Sequence, residues 1–173
     1  VMKPQWLGSR PGTDNAVAVL QAPAAGPRAT ASGSYSPAAK RASPAVVSIS
    51  TSKAIQRRPH GTDPWFRFFF GEQGNQPQAG LGSGVIVSSS GYILTNNHVV
   101  EDADDIEVVL NDSRRAKARI IGTDPDTDLA ILKIELDRLP VIVLGNSDAL
   151  EVGDHVLAIG NPVGLSQTVT QGI

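Results

Sequence analysis

Residues 82–100, GSGVIVSSSGYILTNNHVV, decide how the rest of the chain is read. Two short β-rich runs, 82–88 and 91–96, lead into Asn96, Asn97 and His98. A strand that reads as barrel core has no packing reason to run into a polar triplet. The triplet is either a turn or the place where chemistry happens. The segment after it, HVVEDAD at 98–104, reads as a helical turn.

Outward from this stretch the texture repeats. AVVSIST (45–51), DIEVVLN (105–111), AKARIIG (116–122), LAILKIE (129–135) and HVLAIGN (155–161) are short β-rich runs bounded by Gly, Asn, Asp or Pro. Several alternate, as Ala116, Ala118 and Ile120 do. Closely spaced strands without long helical patterns between them predict an all-β domain, an antiparallel barrel or sandwich. The connection Lys53–Gly80 is too long for a hairpin. It carries five of the chain's eight aromatic residues: Trp65, Phe66, Phe68, Phe69 and Phe70. Long structureless loops in compact domains are usually functional or disordered. These rings either pack on their own barrel or contact a partner.

The first 45 residues differ, with 11 Ala, 6 Pro, 4 Gly and 5 Ser and no sustained period. Such composition buries too little apolar surface to offset its ordering entropy, so residues 1–34 read as a flexible linker. In SPAAKRASP (36–44), Ser36 as N-cap, Pro37 at the first helical position and Pro44 as a stop predict a short helix leading into the domain. Residues 1–12, VMKPQWLGSRPG, read as the tail of a membrane anchor with an interfacial Trp6, or as the remnant of a processed signal peptide.

The composition, 40% hydrophobic and 18% charged, is ordinary for a globular protein. A net charge of -2 gives no reason to expect nucleic acid or an anionic membrane surface as partner. The lack of cysteine excludes disulfides, zinc-thiolate sites and a cysteine nucleophile. His60, His98 and His155 form no pair at ligand spacing, so no metal site is expected. IGNPVG (159–164) has glycines but no helical pattern behind it, which argues against a phosphate loop.

One combination carries chemistry. Asp128 directly precedes the apolar run 129–132, whereas Asp124 and Asp126 flank Pro125 and look like solvated turn residues. A carboxylate at a strand mouth can receive the Nδ1 proton of a histidine across a barrel. That holds the tautomer whose Nε2 acts as general base. His98 and Asp128 are therefore candidates, with the Asp128 carboxylate expected to be shielded from water. Taken alone the two residues are a weak signal. A histidine near a strand end is more often structural, and an aspartate before a strand more often forms a turn.

Three blocks together, 82–100, TDPDTDLAILKI at 123–134 and GDHVLAIGNPVGLSQTVTQGI at 153–173, resemble the trypsin-like serine proteases of the HtrA/Deg family in order and spacing. The resemblance runs from about Ser34 to Ile173, and the segment 33–50 is further similar to the membrane-anchored DegS-like branch. It implies a chymotrypsin-like fold of two barrels. Residues 35–165 would form the first, an antiparallel six-stranded barrel preceded by the short helix, and 166–173 would begin the second. It also implies a periplasmic serine endopeptidase, usually a homotrimer, without a cofactor. Such an enzyme would act on unfolded or signalling proteins, with an upstream membrane anchor as one form of tether. By motif position His98 corresponds to the catalytic base and Asp128 to the acid that orients it.

The nucleophile departs from this pattern, because the family's Gly-Asn-Ser-Gly-Gly does not occur. In GNSD at 145–148, Ser147 is a decoy: Asp148 replaces a glycine of the turn, and its charge would oppose a developing oxyanion. Ser83 fits a Gly-flanked strand and Ser166 a loop. Nucleophile, oxyanion hole and specificity pocket are therefore expected after Ile173, with at least one PDZ domain beyond, and residues 1–173 alone are expected to be inactive. A reading of another class is a non-catalytic holdase that binds through the aromatic loop. A Gly-Asn-Ser-Gly-Gly following Ile173 supports the protease, and a substituted serine supports the binder.

Overall fold

A computed structural model describes residues 17–22, 33–53, 78–161 and 167–173. Helix α1 spans Ser36–Ala42, with a proline in its first turn and Lys40 and Arg41 in its last, where cations suit the helix dipole. Its N-cap is Tyr35, one residue earlier than expected, and no side chain caps it. Pro44 does not stop the chain at once, because Ser43–Ala45 tighten into a 3-10 turn. A proline lacks the N–H to continue an α ladder but fits the start of a turn.

Seven strands follow: β1 (Val46–Lys53), β2 (Gln78–Ile86), β3 (Tyr92–Thr95), β4 (Asp105–Val109), β5 (Arg115–Lys117), β6 (Arg119–Asp124) and β7 (Leu129–Lys133). They form one sheet in the order β5-β4-β1-β2-β3-β7-β6. Every neighbouring pair is antiparallel. Only Ala118 separates β5 from β6, and its N–H donates to the Ile106 carbonyl of β4 at 2.9 Å. The run 115–124 thus pairs with β4 through its first half and with β7 through its second, which joins the two edges of the sheet. Counted by breaks the sheet has seven strands; with β5 and β6 taken as one, it is the six-stranded barrel. Closure removes exposed edges.

Strand periodicity places the core. Val47, Ile49, Ile86, Ile93, Val108 and Leu132 are at most 1% exposed and form one cluster. The alternation Ala116, Ala118, Ile120 holds for the two alanines, which pack against that cluster, but Ile120 is 42% exposed. The β6–β7 register slips between Ile120 and Gly122, and such a slip re-aims side chains.

β2 begins at Gln78, well before the apolar run at 82–88, and Gln78 pairs with Lys53. The long connection therefore leaves and rejoins the barrel at one point. Its aromatic cluster, Trp65 to Phe70, lies outside the described residues. β8 (Val156–Gly160) and β9 (Thr168–Gly172) form a separate two-stranded sheet. The run 155–161, expected as a barrel strand, pairs among the described residues with β9 alone, and none of β8 is fully buried. A short strand without a sealed apolar face has little to hold it in the barrel wall. Residues 17–22, within the stretch read as linker, lie extended against Leu144: its N–H donates to Leu20 and its carbonyl accepts from Ala22, both at 2.9 Å.

Candidate active site

The polar triplet sits where β3 hands over to a single helical turn, α2 (Asn97–Val100). Thr95, the last residue of β3, donates its hydroxyl to the Ser83 carbonyl at 2.8 Å, tying that strand end to β2. Asn96 stays extended as the N-cap of α2. Val100 is fully buried and anchors the turn in the core, while His98 on the same turn faces outward with 49% of its side chain accessible. A helix this short has almost no intrinsic stability, so tertiary contacts must hold it.

Asp128 supplies the decisive ones. It closes the turn after β6, with its N–H directed to the Pro125 carbonyl at 3.3 Å, and adopts φ 54°. Left-handed backbone at a non-glycine residue costs on the order of 1 kcal/mol, less for Asp than for branched residues. The conformation aims both the carbonyl and the carboxylate of Asp128 at the triplet. Oδ2 lies 2.7 Å from His98 Nδ1, and Oδ1 accepts the His98 backbone N–H at 2.9 Å. The Asp128 carbonyl accepts from the Asn97 N–H at 3.1 Å and from Asn96 Nδ2 at 3.1 Å. Asn96 Nδ2 also lies 3.2 Å from Oδ2.

The electrostatic consequence is directional. The His98 backbone N–H, then the His98 ring and the Asn96 amide, hold the Asp128 carboxyl below the ordinary aspartate range, against the opposing effect of partial desolvation. An ionised Oδ2 facing Nδ1 fixes the proton of a neutral imidazole on Nδ1, which leaves Nε2 as the basic nitrogen. The expectation of a water-shielded carboxylate fails among the described residues: 43% of the Asp128 side chain is accessible, and Leu129 beside it is 42% exposed. Geometry rather than burial distinguishes Asp128. Asp124 does act as a turn former, accepting from the Asp126 N–H at 3.2 Å and from the Thr127 hydroxyl at 2.7 Å. Asp126 is exposed on the same turn.

The serines weighed in the sequence take other positions. The Ser83 hydroxyl accepts the Asn161 N–H at 2.7 Å, which fastens the end of β8 to β2. Ser147 opens an exposed 3-10 turn, Ser147–Ala149, with Asn146 accepting from the Asp148 N–H. Ser166 lies outside the described residues.

The chain is similar to known proteins. The trypsin-like peptidase domain family matches residues 82–173, which include both His98 and Asp128. The chain is 49% identical over 154 residues to a probable periplasmic serine endoprotease, DegP-like, of Marinomonas sp. (strain MWYL1), covering 78% of this chain and 33% of that protein. The chain belongs to the HtrA/Deg family of trypsin-like serine proteases. Solved HtrA/Deg structures agree. The HtrA-type protease AlgW with a tripeptide is 45% identical with a TM-score of 0.65, covering 80% of this chain and 38% of that one. The serine endoprotease from Yersinia pestis is 42% identical with a TM-score of 0.63, covering 83% and 45%. The chain spans about a third of the length of the curated HtrA/Deg relatives it matches.

Sequence reasoning missed one member of the cluster, Asn96. The available signal was its place two residues before His98, but an asparagine there reads first as a turn or cap residue. Only the backbone path brings it to Asp128.

Proposed function

We propose that this chain supplies the general base and the orienting acid of a serine endopeptidase of the bacterial envelope. His98 is the base and Asp128 the acid. The observation that carries the reading is the 2.7 Å contact between His98 Nδ1 and Asp128 Oδ2, at the junction of two strand ends on a closed barrel. A neutral imidazole oriented in this way can take the proton of a serine hydroxyl as that oxygen attacks a carbonyl, and later return it to the leaving amine. The periplasmic names of the relatives support the compartment, and peptide-bound solved relatives support peptide and protein substrates.

The finer parts of the reading follow from the family resemblance. Strands β1–β7 are the first barrel, and β8, which pairs with β9, goes with it to the start of the second. The serine and its oxyanion donors are placed outside residues 1–173 because the family's Gly-Asn-Ser-Gly-Gly does not occur within them, and Ser147 in GNSD carries Asp148 beside it. The enzyme works as a homotrimer tethered to the inner membrane. The test compares purified residues 1–173 with the chain extended through a second barrel, on unfolded casein. The extended protein should cleave casein and lose this on His98→Ala, while residues 1–173 stay inert. Cleavage by residues 1–173 that depends on His98 would place the nucleophile within them.

A further inference from the structure

Asn96 is exposed, and its side-chain amide is directed at Asp128. Its amide nitrogen lies 3.1 Å from the Asp128 carbonyl and 3.2 Å from Oδ2. Both are acceptors, so the NH2 end must face them; the reversed amide would set an oxygen against a carboxylate. The two N–H groups therefore fix the backbone and the carboxylate of the same residue relative to each other.

Asp128 needs such a clamp. Its left-handed backbone costs on the order of 1 kcal/mol, which hydrogen bonds to its carbonyl and carboxylate help to offset. The carboxylate must also hold one rotamer for Oδ2 to meet Nδ1 while Oδ1 meets the His98 N–H. From α2 the His98 N–H and ring hold the same carboxylate. Asn96 does so from the strand end, before α2 begins.

We propose that Asn96 is a positioning residue for catalysis, which locks Asp128 in the conformation that orients His98. The inference rests on the reading of His98 and Asp128 as base and acid. Asn96 acts through Asp128 and touches no substrate, so its loss should lower kcat and leave KM nearly unchanged. Asn96→Asp keeps the shape but replaces the donors with a second carboxylate against Oδ2, so it should be worse than Asn96→Ala.

The experiment measures kcat and KM of the full-length protein on a casein-derived peptide for wild type, Asn96→Ala, Asn96→Asp and Asn96→Ser, with His98→Ala as the reference. Melting curves are recorded for each variant, together with the proton NMR signal of the hydrogen bonded between His98 Nδ1 and Asp128. Asn96→Ala should lose roughly 10- to 100-fold in kcat, by analogy with the loss of hydrogen-bond partners that orient metal ligands. It should also broaden or shift the Nδ1 proton signal. Asn96→Asp should lose more, and Asn96→Ser, with a single short donor, less. Should Asn96→Ala fail to fold, the order of Asn96→Ser and Asn96→Asp carries the same comparison. If His98→Ala abolishes turnover while the Asn96 variants keep wild-type kcat and an unchanged Nδ1 signal, Asn96 has no positioning role. If His98→Ala itself leaves turnover intact, the assignment of base and acid is what fails.

Discussion

Gly82 of β2 and Val99 of α2 meet with no room for a side chain between them: a Cβ on the glycine would lie 2.5 Å from Val99 Cγ1 and 2.8 Å from Cγ2. Val99 is the residue after His98, so the glycine sets how closely the histidine's turn approaches the barrel wall. Glycine within a strand often marks such a close approach of a neighbour.

Gly82→Ala should therefore push α2 away from β2. The expected cost is about 1–3 kcal/mol of stability, the usual penalty for overpacking. Turnover should fall further than the folded fraction explains, because His98 moves with the turn. Denaturant unfolding and casein turnover of the full-length protein check this together; a variant unchanged in both would mean that Val99 simply rotates aside.

In the proposed function Asp128 is the orienting acid, and Asp124 and Asp126 are turn residues. Asp128→Asn in the full-length protein should lower kcat by several orders of magnitude, because an amide facing Nδ1 favours the wrong tautomer of His98. Asp124→Asn keeps an acceptor for the turn and should cost little, as should the exposed Asp126→Asn. Comparable losses at Asp126 and none at Asp128 would overturn the assignment.

The same carboxylate gives a pH signature. Its folded pKa lies below the ordinary value, so its ionised form stabilises the fold at neutral pH, and that contribution is lost as pH falls through the folded value. Wild type should be more stable than Asp128→Asn near neutrality, and the gap should close toward acid pH, where Asp128 is protonated. Melting temperatures recorded from neutral to strongly acidic buffer test this; a gap that stays constant or widens in acid contradicts it.

The barrel core was legible from strand periodicity, whereas His98 and Asp128 were a weak signal until the resemblance singled them out. His98 interrupts an apolar strand and Asp128 abuts another, and strand periodicity is a strong signal wherever one face is buried, as at Ile93 and Leu132. What depended on the backbone path was not legible. The left-handed conformation of Asp128 and the reach of Asn96 arise from a turn whose residues, Pro125 to Asp128, would suit several geometries. The early start of β2 was hidden because Gln78, Ala79 and Gly80 show no β-rich alternation and read as the end of the long connection, with the strand starting at Gly82. The pairing of residues 17–22 with Leu144 was hidden because a single pair of backbone hydrogen bonds leaves no compositional trace.

The central claim is that His98, held by Asp128, activates a serine that lies outside residues 1–173. A fluorophosphonate reagent tests it most directly, because it labels only a serine made nucleophilic by a neighbouring base. The full-length protein is labelled, digested and read by mass spectrometry, in wild type and in His98→Ala. One serine outside residues 1–173 should carry the label in wild type, and His98→Ala should not react. Label on Ser83, Ser147 or Ser166, or labelling that survives His98→Ala, would contradict the account.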